Sequence, residues 1–96
     1  MMVIVAYDVD TTSKEGERRL RKVAKLCVNY GQRVQHSVFE CLVDPHQFAE
    51  LRHRLETTID KETDSLRYYF LGKKWKNRVE HCGAKKGYDP EGIMIT

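Results

Sequence analysis

The segment Met2–Asp8 (Met-Val-Ile-Val-Ala-Tyr-Asp) is apolar up to its last residue and rich in β-branched side chains. A run of this kind predicts an interior strand, flanked on both sides and covered on one face. Asp10, Thr11, Thr12 and Ser13 then form a polar turn. Beyond them the apolar period changes. Leu20, Val23, Ala24, Cys27 and Tyr30 recur at helical spacing, while Arg18, Arg21, Lys22 and Lys25 take other faces. Thr12 is the expected helix cap, with Glu15 completing a capping box. Gly31 is the expected left-handed residue that stops this helix.

Arg33–Val43 is too long for one ordinary strand and lacks a Gly or Pro turn. It predicts two strands, roughly 33–37 and 38–43, joined by a tight or bulged bend. Asp44-Pro45 opens a second helix, with Asp44 as cap, Pro45 at the first helical position and Gln47 closing the box. Phe48, Leu51, Leu55 and Ile59 line its inner face. Asp60–Asp64 is a turn, and the aromatic content of Ser65–Leu71 marks a strand. A short strand is expected at Arg78–Cys82, and the apolar tail Gly92–Thr96 reads as one more.

The order is β-α-β-β-α-β with a C-terminal extension. Two such crossovers predict an α+β, ferredoxin-like βαββαβ sandwich, a four-stranded antiparallel sheet with both helices on one face. The other face needs a cover, so a homodimer is expected. The 96 residues allow one domain, 1–96, with 92–96 as a strand-adding tail. With 41% hydrophobic and 32% charged residues and two prolines, the chain is neither disordered nor collagenous. Its longest apolar run is too short to span a bilayer, so no membrane role is expected. Three unpatterned cysteines, Cys27, Cys41 and Cys82, suit free thiols in the cytoplasm better than a disulfide framework.

The net charge of +3 matters less than its distribution. Lys73, Lys74, Lys76, Arg78, Lys85 and Lys86 face one acid, Glu80, so 73–86 carries +5 and the remainder −2. Trp75 stands among these bases, and basic–aromatic interleaving points to nucleic-acid backbone. Asp8 is the first candidate for chemistry. A carboxylate ending an apolar strand is either a magnesium or manganese ligand or a loop-entry residue bonded to 10–13. Asp10 reads as a turn residue. Arg33, Gln35, Ser37 and Phe39 alternate, and share one face if the strands run on without a bulge. Arg33 with Ser37 could hold phosphate oxygens. The histidines lack metal spacing, and no Walker loop, dinucleotide fingerprint or nucleophile elbow is present.

Val-Ala-Tyr-Asp-Val at 5–9, Gly-Gln-Arg-Val-Gln-His-Ser-Val-Phe-Glu at 31–40 and Arg-Tyr-Tyr-Phe-Leu at 67–71 form a specific combination. It resembles the second of the two universal CRISPR adaptation proteins, the small ferredoxin-like nuclease that partners the CRISPR integrase. The Asp-Val-Asp start and the basic 73–86 segment look like the branch of type I-C systems. The resemblance implies a symmetric dimer in which the C-terminal strand of one subunit adds to the sheet of the other. It also implies a divalent metal, Mg²⁺ or Mn²⁺, between two first-strand aspartates, here Asp8. Tyr7, Arg33, Ser37 and Phe39 match the family's remaining site residues, and Arg18 and Arg19 its helix-one arginines. The implied activity is metal-dependent cleavage of nucleic acid during spacer acquisition. Double-stranded DNA is the preferred substrate, because a two-fold site with flanking basic segments suits a duplex. The alternatives are a non-catalytic scaffold that holds DNA for the integrase through 73–86 and helix-one bases, and a ribonuclease acting on single-stranded RNA.

Overall fold

Alternation in the first strand sorts its side chains between two environments. In β1 (Met2–Asp8), Val3, Val5 and Tyr7 are buried, Met2, Ile4 and Ala6 are half-buried, and Asp8 is exposed. The computed structural model describes residues 1–72 and 79–84. Lys73, Lys74, Lys76, Arg78 and the tail 92–96 therefore lie outside the described residues. After β1 come α1 (Lys14–Val28), β2 (Gly31–Gln35), β3 (Val38–Leu42), α2 (Pro45–Thr58), β4 (Ser65–Leu71) and β5 (Val79–Gly83). The sheet order among these residues is β2-β3-β1-β4-β5, antiparallel throughout. Its first four strands have the ferredoxin-like arrangement that the sequence predicts, and β5 extends the β4 edge.

The core lies between one sheet face and the two helices. Val23 and Cys27 of α1, and Leu51 and Leu55 of α2, are fully buried against Val3, Val5, Phe39, Leu66 and Tyr68. Burying an aliphatic side chain of this size contributes about 2 kcal/mol. Phe48 anchors α2 on β4 through edge-to-face contacts with Tyr68 and Phe70, at 5.4 and 5.2 Å between centroids. Among the described residues, the opposite sheet face carries no helix.

Three local expectations need correction. The cap of α1 is Ser13, whose hydroxyl accepts the Gly16 N–H at 3.1 Å. Thr12 instead donates its N–H and hydroxyl to the Asp10 carboxylate, so no Thr12–Glu15 box forms. Gly31 does not end the helix in a left-handed conformation; that end is Asn29, in helical geometry, and Gly31 begins β2. A Cβ at residue 31 would run into the Glu40 carbonyl and Cys41, so close strand approach is what requires glycine there. Finally, residues 33–39 do not continue along one face. The chain doubles back at His36–Ser37, and a register shift separates Arg33 from Gln35. Arg33 pairs with Phe39 and Gln35 with Val38, which leaves the two on opposite faces. The second helix has the expected start: Asp44 accepts the Gln47 N–H at 2.7 Å and Gln47 accepts the Asp44 N–H at 2.9 Å.

Candidate functional site

The end of β1 is held from both sides. Asp8 pairs with Ser65 of β4. On the other flank the Tyr7 N–H donates to the Ser37 carbonyl at 3.1 Å, which puts the β2–β3 turn beside the strand end. Because Tyr7 faces the helices, Asp8 faces the helix-free side and is exposed. It borders a polar hollow of about 190 Å³, lined by Ala6, Tyr7, Asp8, Ser65 and Arg67. Arg67 pairs with Ala6 and so stands on the Asp8 face. A carboxylate suited to a hard cation and a guanidinium suited to phosphate thus share one hollow.

Asp8 is the one carboxylate among the described residues that lines the hollow. Among the described residues, no three His, Cys, Asp or Glu side chains converge as a metal cluster. Asp10 is occupied in its own turn, accepting Thr12 N–H at 2.9 Å and Thr12 hydroxyl at 2.7 Å. These bonds hold its carboxyl below the ordinary range. Mg²⁺ often takes only one or two carboxylates and keeps several waters. Asp8 could supply one such carboxylate.

Tyr7, Phe39 and Arg33 gather elsewhere, at the helix-side edge of the hairpin. The Tyr7 and Phe39 rings stack at 6.2 Å, and the Arg33 guanidinium lies 5.1 Å from the Phe39 centroid. Tyr7 and Phe39 are buried, whereas Arg33 is exposed. Burial, with the nearby Cys27 thiol, pushes the Tyr7 phenol above its usual value, against the opposing pull of Arg33. Tyr7 therefore stays neutral near pH 7 and packs the strand end. The structure brings Asp8 and Ser37 to the same end of the sheet, but sets the Arg33–Phe39–Tyr7 stack on the other side of it.

A second carboxylate organises the loops behind Asp8. Asp64 is fully buried. It accepts hydrogen bonds from Arg19 Nε at 2.8 Å, Asp10 N–H at 2.9 Å, Asp60 N–H at 2.9 Å and the Thr63 hydroxyl at 3.1 Å. Burial alone would raise its pKa, but the Arg19 bond, the two backbone N–H groups and the Thr63 hydroxyl outweigh it and bring it below the usual value. The β1–α1 loop, α1 and the α2–β4 turn meet on this one side chain. Gly16 completes the joint, since a Cβ there would strike the Asp10 carbonyl. Of the two helix-one arginines, Arg18 is exposed and Arg19 is committed to Asp64.

Sequence reading passed over Arg67, Ser65 and Asp64. Arg67 carried a usable signal, as a charge within an otherwise largely apolar strand. Asp64 carried none, because Arg19 and Asp10 lie 45 and 54 residues away.

Residues 1–79 match the family model described as CRISPR associated protein Cas2. A relative from Nitratidesulfovibrio vulgaris, named CRISPR-associated endoribonuclease Cas2, is 59% identical over 95 residues, covering 99% of this chain and 93% of the relative. One from Halalkalibacterium halodurans, named CRISPR-associated endonuclease Cas2, is 56% identical over 95 residues, covering 99% of both. The crystal structure of Streptococcus pyogenes Cas2 at pH 6.5 is 61% identical, with a TM-score of 0.71 over 83% of this chain and 96% of that one. A family model matched over residues 1–79, identities near 60% over almost the whole chain and a structural match at TM-score 0.71 leave one conclusion: the chain belongs to the CRISPR associated protein Cas2 family.

Proposed function

We propose that this protein is a metal-dependent endonuclease of the cytoplasm that cleaves double-stranded DNA during CRISPR spacer acquisition, working as a homodimer beside the CRISPR integrase. The observation that carries the reading is the placement of Asp8, exposed at the end of the central strand and sharing a polar hollow with Arg67. Two chains supply two Asp8 carboxylates, enough for Mg²⁺ or Mn²⁺. The metal would provide an activated water and offset charge on the scissile phosphate. The chain's own residues do the rest. Arg67 presents guanidinium donors to phosphate oxygens beside Asp8. Ser37, at the strand end, and Arg33, at the hairpin edge, position flanking backbone. Tyr7 and Phe39 pack the strand that aims Asp8. Lys73, Lys74, Lys76, Arg78 and Arg18 supply charge for sequence-independent phosphate contacts.

A second reading takes single-stranded RNA as the substrate. It is supported by the names of relatives such as that from Nitratidesulfovibrio vulgaris, called an endoribonuclease. One assay separates the readings. Duplex DNA and single-stranded RNA are each incubated with wild-type protein and Asp8→Asn, with and without Mg²⁺. The expected result is Mg²⁺-dependent cleavage of duplex by wild type alone. Asn keeps the shape of Asp but not its charge, so dimer and DNA binding persist. Cleavage by a well-folded Asp8→Asn protein would remove Asp8 from the reaction. Cleavage of RNA alone would favour the second reading, and binding without cleavage of either would favour the scaffold.

A further inference from the structure

The helices carry a cationic groove on the layer remote from Asp8. Lys22, Lys25 and Asn29 on the α1 side face Arg54, Thr57 and Thr58 across a cleft of about 360 Å³, with half-buried Leu26 as its apolar part. The Tyr30 hydroxyl donates to Glu50 at 2.8 Å and ties the two helices together near one end of the seam. None of the residues lining the groove is acidic. Among the described residues, neither Lys22 nor Lys25 joins an ion pair. Arg54 reaches Glu50 only at 3.9 Å, between exposed side chains, a bridge that yields readily to a stronger anion. Three like charges therefore converge, and among the described residues only Arg54 has a counterion, the exposed Glu50 at 3.9 Å.

Their spacing is ordered. Arg18, Lys22, Lys25 and Asn29 fall at i, i+4, i+7 and i+11, one stripe of α1 about 16 Å long at 1.5 Å per residue. The helix dipole accounts for Lys25, in the last turn, but not for Arg18 or Lys22. Each strand of a duplex carries one phosphate per roughly 3.4 Å of helix axis, so a stripe of this length has several phosphates within reach. A protein partner would want large apolar or aromatic anchors in pockets, and the groove offers only Leu26.

We propose that the α1–α2 groove is a second nucleic-acid contact, holding the sugar–phosphate backbone of a duplex on the face opposite Asp8 through Lys22, Lys25 and Arg54. The proposal rests on nucleic acid being the ligand of this protein, but not on Asp8 chemistry. A duplex segment here cannot be the one whose scissile phosphate lies at Asp8, so the groove holds a separate stretch or a second molecule.

The test is fluorescence polarisation of the intact protein with a labelled 30-bp duplex between 50 and 250 mM KCl. Lys22→Ala/Lys25→Ala/Arg54→Ala should lower the log–log salt slope by about 2 to 3, at roughly 0.9 per lost phosphate contact. Lys22→Arg/Lys25→Arg/Arg54→Lys should restore the wild-type slope. Asp8→Asn should leave the slope unchanged, so cleavage and groove binding fail separately. Duplex should also protect Lys22 and Lys25 from acetylation, read by mass spectrometry. An unchanged slope in an alanine variant with wild-type melting would overturn the proposal. So would protection of those lysines by polyglutamate and not by duplex.

Discussion

Asp64 shows how a single buried side chain can govern a site it does not enter. It is anionic and wholly enclosed, and four donors reach it. Removing one partner of such a pair leaves the other without compensation and costs about 3 kcal/mol. Asp64→Asn should therefore lower stability by about that amount at pH 7, seen as a fall in melting temperature of at least 12 °C. The pH dependence has a definite sign. The folded-state pKa of Asp64 lies below its unfolded value near 3.8, so its contribution is complete above that pH and is lost as pH falls through the lower value. The gap between wild type and Asp64→Asn should begin to narrow below about pH 4 and go on narrowing as pH falls through the lower folded-state value. A gap that stays constant from pH 7 to pH 3 would show that the Asp64 charge is not what holds the loops. The thiols behave oppositely. Burial and the neighbouring Cys41 push Cys27 up to about 12, and burial pushes Cys41 up to about 11, so both remain protonated and unreactive at neutral pH.

Helix starts illustrate which local features a sequence reveals. Asp44-Pro45-His46-Gln47 is unambiguous, and both halves of its box form. Thr11-Thr12-Ser13 offers three hydroxyls in a row, and sequence alone cannot say which one caps. Asp10 decides it by engaging Thr12, which leaves Ser13 to cap α1. Ser13→Ala and Asp44→Ala should each cost about 1 kcal/mol, additively because they cap different helices. Thermal unfolding of the singles and the double mutant measures this. Loss of stability in Thr12→Ala with none in Ser13→Ala would reverse the assignment. The strands were legible for a similar reason: alternation and β-branching are local properties, whereas the Arg33/Gln35 bulge is set by how β2 pairs with β3. The same limit applies to the candidate site. Asp8 stood out because it ends an apolar run, but the separation of Arg33 and Phe39 from it depends on which sheet face each strand presents.

Among the described residues, one sheet face carries no helix. Met2, Ile4 and Tyr69 are half-buried there, Leu42 is 72% exposed and Leu71 40%. Soluble domains seldom leave such a surface uncovered, and the outer strands β2 and β5 add pairing edges. A second copy of the chain would cover this face and bring a second Asp8. Sedimentation should report a dimer at micromolar concentration, and Leu42→Glu/Leu71→Glu should shift it toward monomer. A wild-type monomer at that concentration would leave the metal site incomplete and sink the two-carboxylate arrangement.

The central position of β1 also sets a timetable. Asp8 leaves the ribosome well before its partner Ser65, which is made 57 residues later, and Met2 waits for Leu71. A nascent chain can close β3 on β1 beforehand, but the wall of the hollow formed by Ser65 and Arg67 does not yet exist. Chains that stop short of β4 therefore carry the carboxylate without the place that makes it useful. The strand order thus makes the end of β1 conditional on synthesis, since only a polypeptide extended through β4 can assemble it.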